Sequence, residues 1–441
     1  MLTLQGYRIS KKDLLNEQHI KGLLSVKPYI PSVFVNPRFV KRFEVFRENE
    51  QYIYVPKHFG IERFGSCTGR DVTPTPDNFW EFKGEIRDAQ LPVINSFMLP
   101  EPHDGILSLQ TGGGKTVCAL YIASQLKLPT LVLVHSGFLK DQWVERISEF
   151  LPRARVGTVQ GETMNVDGDI VVGMLQTIAL KELPPKLFER FGLIIVDECH
   201  HIASESFSQA VPKLTSKYML GLSATPERKD GLMYVINWFL GPILFSSNSA
   251  DKVDEKVNVE VYEFDGDPEH NAVILNHAGV MFSSLMVNKV VENMERNRML
   301  ISILVDVFEP DRQILVLTDR VEHTKTLFEM LPPELKEQAG ILARGMKSNT
   351  RDEFCKSKKI LLSTYQLVKE GFDLATLNTL LMATPRPDIN QIVGRIMRVE
   401  KSKRTTHPLI LDVVDVPFRR QFQERLKLYK DRGYKIEKMK I

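Results

Sequence analysis

The sequence predicts an α/β fold, because short apolar segments alternate with helical segments from about residue 81 almost to the C-terminus. Runs such as TLVLVHS (130–136) and FGLIIVDE (191–198) contain little polar alternation, which is typical of strands buried on both faces of a parallel sheet. Helical stretches such as TVCALYIASQLK lie between them. Repeated strand–helix units predict doubly wound parallel sheets.

The length and the distribution of these units indicate more than one domain. A chain of 441 residues exceeds one ordinary hydrophobic core. The pattern breaks at the polar segment FSSNSADKVDEK (245–256), and a second set of apolar segments follows, including QILVLTD and PLILDVVD. We expect an accessory domain at 1–80, a first α/β domain at 81–248, and a second at 249–441 that ends in a helix.

Residues 1–80 do not follow the strand–helix pattern and predict a small mixed α and β domain. Asn36 and Pro37 suit a helix start, and Phe39, Phe43 and Phe46 would then form one buried stripe. Basic residues largely outside this stripe would form either a solvated face or a nucleic-acid contact. Those residues are Arg38, Lys41, Arg42 and Arg47.

The composition is that of a soluble globular protein, with 43% hydrophobic and 26% charged residues. No apolar run reaches the roughly 18 residues of a membrane span, and charges interrupt the N-terminus. We therefore expect no membrane association and a cytoplasmic protein, in the host cytoplasm if the source is viral. Four scattered cysteines argue against a disulfide framework.

The segment LQTGGGKT (109–116) has the pattern and context of a phosphate loop. Its glycines allow several backbone N–H groups to face phosphates at a helix N-terminus. Lys115 would neutralise the β- and γ-phosphates, and the Thr116 hydroxyl would bind Mg²⁺. Leu109 stands where the common pattern begins with glycine. The alternative is a glycine-rich turn without a ligand.

A second element, IIVDECHH, supports nucleotide binding, because it places two acids at the end of a buried strand. Strand ends of an open parallel sheet meet at its carboxyl edge, beside the phosphate loop. Asp197 would hold Mg²⁺ through its water shell, and Glu198 would orient and polarise the attacking water. The alternative is a strand that merely ends in solvent.

These segments resemble motifs of the superfamily two helicases and translocases, in the group whose second motif is DE-x-H. The resemblance covers about residues 81–420 and implies two tandem RecA-like domains. Its further motifs are GEIRDAQ, LVLVHSGFLKDQW, VGMLQTI and GLSATP in the first domain, and ILVLTDR, STYQLVKEGFD and QIVGRIMR in the second. Softer features, such as the short N-terminal domain, resemble bacteriophage branch-migration helicases of the UvsW kind and, more widely, XPB-like motors.

The resemblance implies roles in ATP hydrolysis for the matching positions. The implied ATP-binding residues are Arg87, Gln90, Thr111, Gly112, Gly113, Gly114, Lys115, Thr116, Gly371 and Asp373, with Mg²⁺ on Thr116 and Asp197. The implied catalytic residues are Lys115, Asp197, Glu198, Arg395 and Arg398, and the coupling residues are His200, Ser223, Thr225 and Gln391. The two arginines would approach the γ-phosphate from the second domain and stabilise charge on the transferring phosphoryl group.

The resemblance also implies a nucleic-acid track along strand-end loops. Its candidates are Ser136, Gln142, Gln176, Thr177, Arg344, Thr364 and Gln366. Hydroxyl, amide and backbone groups bind phosphates without distinguishing bases, as a translocase requires. Arg344 fits a phosphate contact or a surface charge equally, and Trp143 is interpreted as a core anchor.

The expected function is an ATP-dependent DNA helicase or translocase on forked or branched DNA, with a monomer favoured. One alternative is a duplex DNA or RNA translocase that does not separate strands. Another is a clamp that uses ATP only as a switch. In the C-terminal helix, Phe418, Phe422, Leu426 and Tyr429 share a face. Off that face lie basic residues that would be solvated or bind DNA: Arg419, Arg420, Arg425 and Lys427.

Overall fold

The computed structural model divides the chain into two compact units, Met1–Ser247 and Asn248–Ile441. It describes residues 1–29, 40–66, 80–109, 112–201, 210, 213–224, 230–247, 256–276, 279, 281–343, 348–369, 374, 376–397 and 404–440. Within these residues no helix combines the length and the apolar character needed to cross a membrane.

The first unit contains an eight-stranded sheet with the strand order β10-β9-β11-β8-β12-β13-β7-β14. Its elements are α3 (Leu91–Met98), β7 (Gly105–Ser108), α4 (Lys115–Leu126), β8 (Thr130–Val134), α5 (Gly137–Phe150), β9 (Val156–Gln160), β10 (Thr163–Asn165), β11 (Ile170–Met174), α6 (Leu175–Leu180), β12 (Leu193–Val196), β13 (Tyr218–Ser223), α7 (Met233–Leu240) and β14 (Ile243–Ser246); α1, α2 and β1–β6 belong to the N-terminal region described below. All neighbouring strands are parallel except β9 and β10. The α/β prediction is therefore confirmed for this unit.

Both faces of this sheet are covered, which explains the unbroken apolar runs. Leu131 and Leu133 of β8 belong to one core cluster, with α6 and α7. Val132 and Val134 of the same strand belong to the other, with α3, α4 and α5. The register aligns Val196 with Leu133 on one side and Gly221 on the other. The carboxyl ends of the central strands therefore lie along one edge.

The N-terminal region forms a four-stranded antiparallel sheet, a separate antiparallel pair of short strands and two helices. Its elements are β1 (Leu2–Thr3), β2 (Gly6–Ser10), α1 (Glu17–Leu24), β3 (Ser25–Val26), β4 (Phe43–Glu44), β5 (Arg47–Glu48), β6 (Tyr52–Val55) and α2 (Lys57–Phe64). The predicted helix through Phe43 and Phe46 is wrong, because β4 pairs with β3 and Val45 donates its N–H to the Leu24 carbonyl. Residues 36–39, where that helix would begin, lie outside the described residues.

This region shares a core with the large sheet. Leu24, Ile53 and Phe59 lie in the same buried cluster as the residues of α6 and α7. Lys57 of α2 donates to the Ser216 and Lys217 carbonyls and forms a 2.6 Å ion pair with buried Asp104. These contacts join the N-terminal region to the amino-end edge of the sheet. It is therefore an integral part of the first unit.

The second unit contains a seven-stranded sheet in the order β17-β18-β16-β19-β20-β15-β21. Its elements are β15 (Asn258–Phe264), α8 (Pro268–Asn271), α9 (Ser283–Glu292), α10 (Met294–Val307), β16 (Ile314–Thr318), α11 (Val321–Met330), α12 (Pro333–Gln338), β17 (Ala339–Ile341), α13 (Ser348–Ser357), β18 (Ile360–Thr364), α14 (Tyr365–Lys369), β19 (Thr379–Met382), α15 (Asn390–Val393), β20 (Leu409–Asp415), α16 (Arg419–Asp431) and β21 (Lys435–Met439). Every strand pair in it is parallel. The predicted second α/β set is thus confirmed.

Two buried ion pairs hold the carboxyl end of β20. Asp415 accepts hydrogen bonds of 2.6 and 2.9 Å from the guanidinium of Arg296, and neither side chain is exposed. Asp412 accepts two bonds of 2.8 Å from Arg425 and a third from the Tyr429 hydroxyl. The expectation that Arg425 lies off the buried face of the C-terminal helix is therefore wrong. Its stem packs inside, and Asp412 supplies the partner that a buried cation requires.

Candidate active site

The predicted phosphate loop joins the carboxyl end of β7 to the start of α4. β7 ends at Ser108, and α4 begins at Lys115. Gly112 and Gly114 adopt φ angles of 84° and 83°, which only glycine adopts without strain. The loop leads into a helix of 12 residues, whose N-terminal N–H groups and dipole favour an anion.

Arg87 and Gln90 lie directly over this loop. A Cβ atom at Gly114 would lie 2.2 Å from Gln90 Nε2 and 2.9 Å from a terminal nitrogen of Arg87. Gln90 is buried, and its Oε1 accepts a 3.0 Å hydrogen bond from the Arg87 backbone N–H. The structure therefore brings both predicted residues beside the loop. Recognition of adenine by Gln90 stays a prediction.

The acid pair follows β12 at the same edge. Asp197 is 6% exposed. Its carboxylate oxygens accept hydrogen bonds of 2.9 Å from the Trp143 indole N–H and of 2.9 Å from the Glu198 backbone N–H. Glu198 has a φ of 47°, a left-handed conformation that residues other than glycine seldom adopt. Such strained residues cluster at functional sites.

Lys115 joins the phosphate loop to the acid pair. Its Nζ lies 3.2 Å from Glu198 Oε1, and both side chains are largely buried. Burial and the charge of Glu198 raise the pKa of Asp197. Burial also raises the pKa of Glu198, but the charges of Lys115 and His200 lower that pKa more, to below its ordinary value. The two neighbouring acids therefore differ, because the pKa of Glu198 lies below its ordinary value and that of Asp197 lies above it.

The donor set at this edge fits Mg²⁺. Mg²⁺ prefers oxygen ligands and retains several waters, and Asp197 offers carboxylate oxygens that each accept one hydrogen bond and keep a second lone pair. Thr116 lies in the first turn of α4 and would add a hydroxyl. A divalent cation would favour the ionised form of Asp197, whose pKa burial raises.

His200 connects this edge to the next strand. Its Nδ1 lies 3.2 Å from Ser223 Oγ at the end of β13 and 3.3 Å from Glu198 Oε2. The predicted coupling residues His200 and Ser223 are thus brought together beside the acid pair. Gln391 belongs to α15 of the second unit, and Thr225 lies outside the described residues.

The candidates for nucleic-acid contact in the first unit lie at adjacent strand ends. Ser136 follows β8 and caps α5 by accepting a 3.3 Å hydrogen bond from the Leu139 N–H. After β11, Gln176 donates to the His135 carbonyl, and the Thr177 hydroxyl accepts from the Gly161 N–H at 3.0 Å. The hydroxyl and amide groups therefore already support the loops. Gln142 is half-buried on α5.

In the second unit, the predicted residues are only partly described. Arg395 is 8% exposed and follows α15. Thr364 ends β18, where its hydroxyl accepts a 3.4 Å hydrogen bond from the Leu367 N–H, and Gln366 is exposed on α14. The approach of Arg395 to the phosphate loop stays a prediction. The predicted site residues outside the described part of the chain are Thr111, Thr225, Arg344, Gly371, Asp373 and Arg398.

Sequence reasoning missed one contact within the candidate site, the hydrogen bond from Trp143 to Asp197. Trp143 is 1% exposed, so its interpretation as a core anchor is confirmed. Its indole nevertheless points an N–H at the acid pair. A signal was available, because a buried indole N–H requires an acceptor, and α5 follows the strand adjacent to β12.

The chain is similar to known proteins, both in its first α/β domain and over its whole length. Residues 83–228 match the family model described as type III restriction enzyme, res subunit. A protein of Acanthamoeba polyphaga mimivirus, L396, which is named as an ATP-dependent RNA helicase, is 32% identical over 456 residues. The match covers 100% of this chain and 87% of the mimivirus protein.

Solved structures show the same fold. The ATP-dependent type ISP restriction-modification enzyme LlaBIII, bound to DNA, matches with a TM-score of 0.55 and 14% identity, over 81% of this chain and 31% of that protein. The crystal structure of T4 UvsW covers 96% of this chain and 95% of that protein, with 16% identity and a TM-score of 0.36. At that score the expected likeness to UvsW stays a prediction.

Proposed function

This chain belongs to the helicase superfamily, and from that premise we propose that it is an ATP-dependent helicase or translocase that remodels forked or branched DNA. The observation that carries the proposal is the contact between Lys115, at the end of the phosphate loop, and Glu198. Buried Asp197 lies beside this pair. These groups combine a phosphate-binding cation, a base and a metal-binding carboxylate within one edge of the sheet.

The pairing of Lys115 with Glu198 provides a switch for nucleotide binding. Lys115 Nζ lies 3.2 Å from Glu198 Oε1, so the two opposite charges stabilise each other. The β- and γ-phosphates of ATP compete for Lys115, and its transfer to them frees Glu198. Glu198 then accepts a proton from the water that attacks the γ-phosphorus, while ADP leaves. Asp197 and Thr116 would hold Mg²⁺, and the ion would neutralise charge on the phosphates.

The second unit is proposed to complete the site and to make hydrolysis drive movement. Arg395 and Arg398 would stabilise charge on the transferring phosphoryl group, a contribution of roughly 10³ to 10⁵ in rate. Closure around ATP and opening after hydrolysis would alternate the grip of the two units on a strand. Binding energy at one site thereby biases a hinge that the other site also uses.

DNA is proposed as the substrate because the first α/β domain matches a family model that is described as a restriction enzyme subunit. The basic C-terminal region agrees with a polyanionic partner. From Arg386 to the C-terminus, 56 residues contain 15 Lys and Arg against 7 Asp and Glu. Arg425 does not contribute to that surface, since it is buried against Asp412.

RNA is the second candidate substrate, because the mimivirus relative is named as an RNA helicase. ATPase assays with single-stranded, duplex, forked and four-way DNA, and with RNA of the same sequences, separate the two. We expect the largest stimulation from forked or four-way DNA and unwinding of labelled junctions. Stimulation by RNA alone would contradict the DNA proposal, and stimulation without strand separation would favour a duplex translocase.

A clamp that uses ATP only as a switch is tested by the variant Arg398→Ala. For a motor, this variant keeps most of its ATP affinity but loses turnover. If the unmodified protein hydrolyses ATP no faster than the variant on every nucleic acid, the clamp is favoured. Nucleotide binding is measured separately, by titration of each protein with a fluorescent ATP analogue.

The N-terminal region is proposed to contact the DNA junction, and its integration into the first unit determines how to test that. Removal of residues 1–80 would expose the core face that Leu24 and Phe59 cover, so loss of activity would be uninformative. Lys41 and Arg42 are exposed, and the double variant Lys41→Gln, Arg42→Gln preserves that core. We expect weaker binding to forks and unchanged binding to single strands. Equal fork affinity would place the junction contact elsewhere.

A further inference from the structure

We propose that Trp143 is a positioning residue of the ATP site and that α5 transmits nucleic-acid binding to Asp197 through it. The proposal rests on the proposed function and deepens it. It concerns a residue that no helicase motif singled out for chemistry, and it predicts a measurable dependence of Mg²⁺ binding on one hydrogen bond.

The contact is short, buried and directed. The indole N–H of Trp143 lies 2.9 Å from Asp197 Oδ2, and the two residues are 1% and 6% exposed. The other oxygen of Asp197 accepts the Glu198 backbone N–H. Among the hydrogen bonds of the described residues, Trp143 is the one side-chain donor to this carboxylate. Without it, the Asp197 carboxylate would keep only the Glu198 backbone N–H as a hydrogen-bond donor among the described residues.

An indole suits this role because it donates a hydrogen bond and carries no charge. An arginine or lysine at the same position would neutralise Asp197 and compete with a divalent cation. The indole instead fixes the orientation of the carboxylate while leaving its charge for Mg²⁺. The same carboxylate lies beside Glu198, so its orientation also determines where the attacking water can lie.

The transmission follows from the position of Trp143 on α5. Ser136, a candidate for nucleic-acid contact, caps this helix, and Trp143 lies two turns further along it, at roughly 10 Å. Leu139, Trp143 and Ile147 form its buried stripe. If binding of a nucleic-acid strand moves Ser136 at the start of α5, the Trp143 indole therefore moves with it, because both belong to one helix. The Gln176 amide, which donates to the His135 carbonyl, connects the neighbouring strand end to the same cap.

The variant Trp143→Phe tests both the positioning role of the indole and the transmission along α5, because phenylalanine fills the core and lacks the N–H. Titration with a fluorescent ATP analogue in EDTA should give an affinity close to that of the unmodified protein. The Mg²⁺ concentration that half-saturates tight ATP binding should rise by about 10- to 100-fold, as expected for a lost hydrogen bond to a charged group. The ratio of nucleic-acid-stimulated to basal turnover should also fall.

Trp238→Phe is the matched control. Trp238 lies on α7, which covers the opposite face of the sheet, so its variant should keep the unmodified Mg²⁺ dependence. Since the chain has three tryptophans, the double variant Trp80→Phe, Trp238→Phe leaves Trp143 as the sole indole fluorophore. Its emission should change on addition of Mg²⁺ with ATP and much less with ATP in EDTA.

The outcomes separate this inference from the function beneath it. If the unmodified protein shows no Mg²⁺-dependent ATP binding or hydrolysis, the proposed function fails. If it shows both and Trp143→Phe has the same Mg²⁺ dependence, the positioning role is overturned. An altered Mg²⁺ dependence with an unchanged stimulation ratio would overturn the transmission along α5.

Discussion

The carboxyl edges of the two sheets both present buried acids, but they treat the negative charge in opposite ways. At the second edge, Asp415 is paired with Arg296 in a bidentate ion pair, and neither side chain is exposed. At the first edge, Asp197 accepts hydrogen bonds from a neutral indole and a backbone N–H. The pKa shifts of the two acids differ in the same way. Burial and the charge of Glu198 raise the pKa of Asp197. Burial also acts to raise the pKa of Asp415, but that pKa is lowered overall, with the charge of Arg296 as the largest opposing cause.

The different partners of Asp415 and Asp197 indicate which of the two acids is structural. A permanent cation makes Asp415 part of the scaffold, since a buried charge needs a partner. Among the described residues, no cation is hydrogen-bonded to Asp197, and Lys115 contacts Glu198 instead. The first edge is therefore left ready for charge that arrives with a ligand, and substitutions at the two edges should have opposite signatures.

The largest effect is expected at the first edge, for Glu198→Gln. The amide keeps the size of the side chain and cannot take a proton from water. Turnover should fall by about 10²- to 10⁴-fold, with ATP affinity preserved or increased because Lys115 is freed from its carboxylate partner. Steady-state ATPase rates and nucleotide titrations measure the two quantities. Parallel losses of turnover and affinity would contradict the assigned role.

The comparison itself is tested by two matched variants, Asp415→Asn and Asp197→Asn. The first leaves Arg296 buried without its counterion and should cost about 3–5 kcal/mol of unfolding free energy. The second changes a buried carboxyl group to which no cation among the described residues is hydrogen-bonded, so it should cost about 1 kcal/mol or less while abolishing Mg²⁺-dependent turnover. Denaturant unfolding of both variants gives the answer. Equal destabilisation would break the distinction between the edges.

Acid should weaken the second unit through His323. This side chain is 2% exposed, with its ring nitrogens 2.8 Å from Thr318 Oγ1 and 2.9 Å from Asn297 Oδ1, and burial lowers its pKa to about 3. Because the folded pKa lies below the unfolded value of about 6.5, the stabilisation is complete above pH 6.5. It is lost progressively between pH 6.5 and 3, by about 3 kcal/mol at pH 4.

The control for that prediction is His323→Asn, which has no titrating ring. The difference in unfolding free energy between the two proteins should shrink as the pH falls from 7 to 4. A constant difference over this range would show that His323 does not titrate with unfolding.

The smallest expected effect is that of Gly114→Ala. The methyl group would be strained at a φ of 83° and would displace the Gln90 amide 2.2 Å away. The left-handed conformation alone costs roughly 1–2 kcal/mol for alanine, so ATP affinity should fall by about 5- to 30-fold. Gly161→Ala is a suitable control, since that glycine has a φ of 54° and nothing lies within 4 Å of the position that an added Cβ atom would take. Equal ATP affinities of the two variants would refute a specific role of the loop.

Local sequence patterns predicted the strands, and they predicted which residues follow the strands at the carboxyl edge of the first sheet. The β12 strand, the acids after it and the loop before α4 follow from apolar runs, glycines and adjacent carboxylates. The N-terminal helix at Phe43 failed, because pairing with β3 outweighed the helical spacing of the phenylalanines. Two separate helices, α9 and α10, follow each other without a loop, since Asn293 caps the second one.

Short motifs in the sequence predicted which chemical groups make up the candidate site, since the spacing of each motif sets its place at a strand end. Which of the charges are compensated became visible only in the folded chain. Arg425 belongs to a basic stretch in the sequence, yet folding places it against Asp412. Trp143 belongs to an apolar stripe, yet its indole is directed at Asp197. The physical reason is that burial and pairing depend on side chains distant in sequence, which no local pattern records.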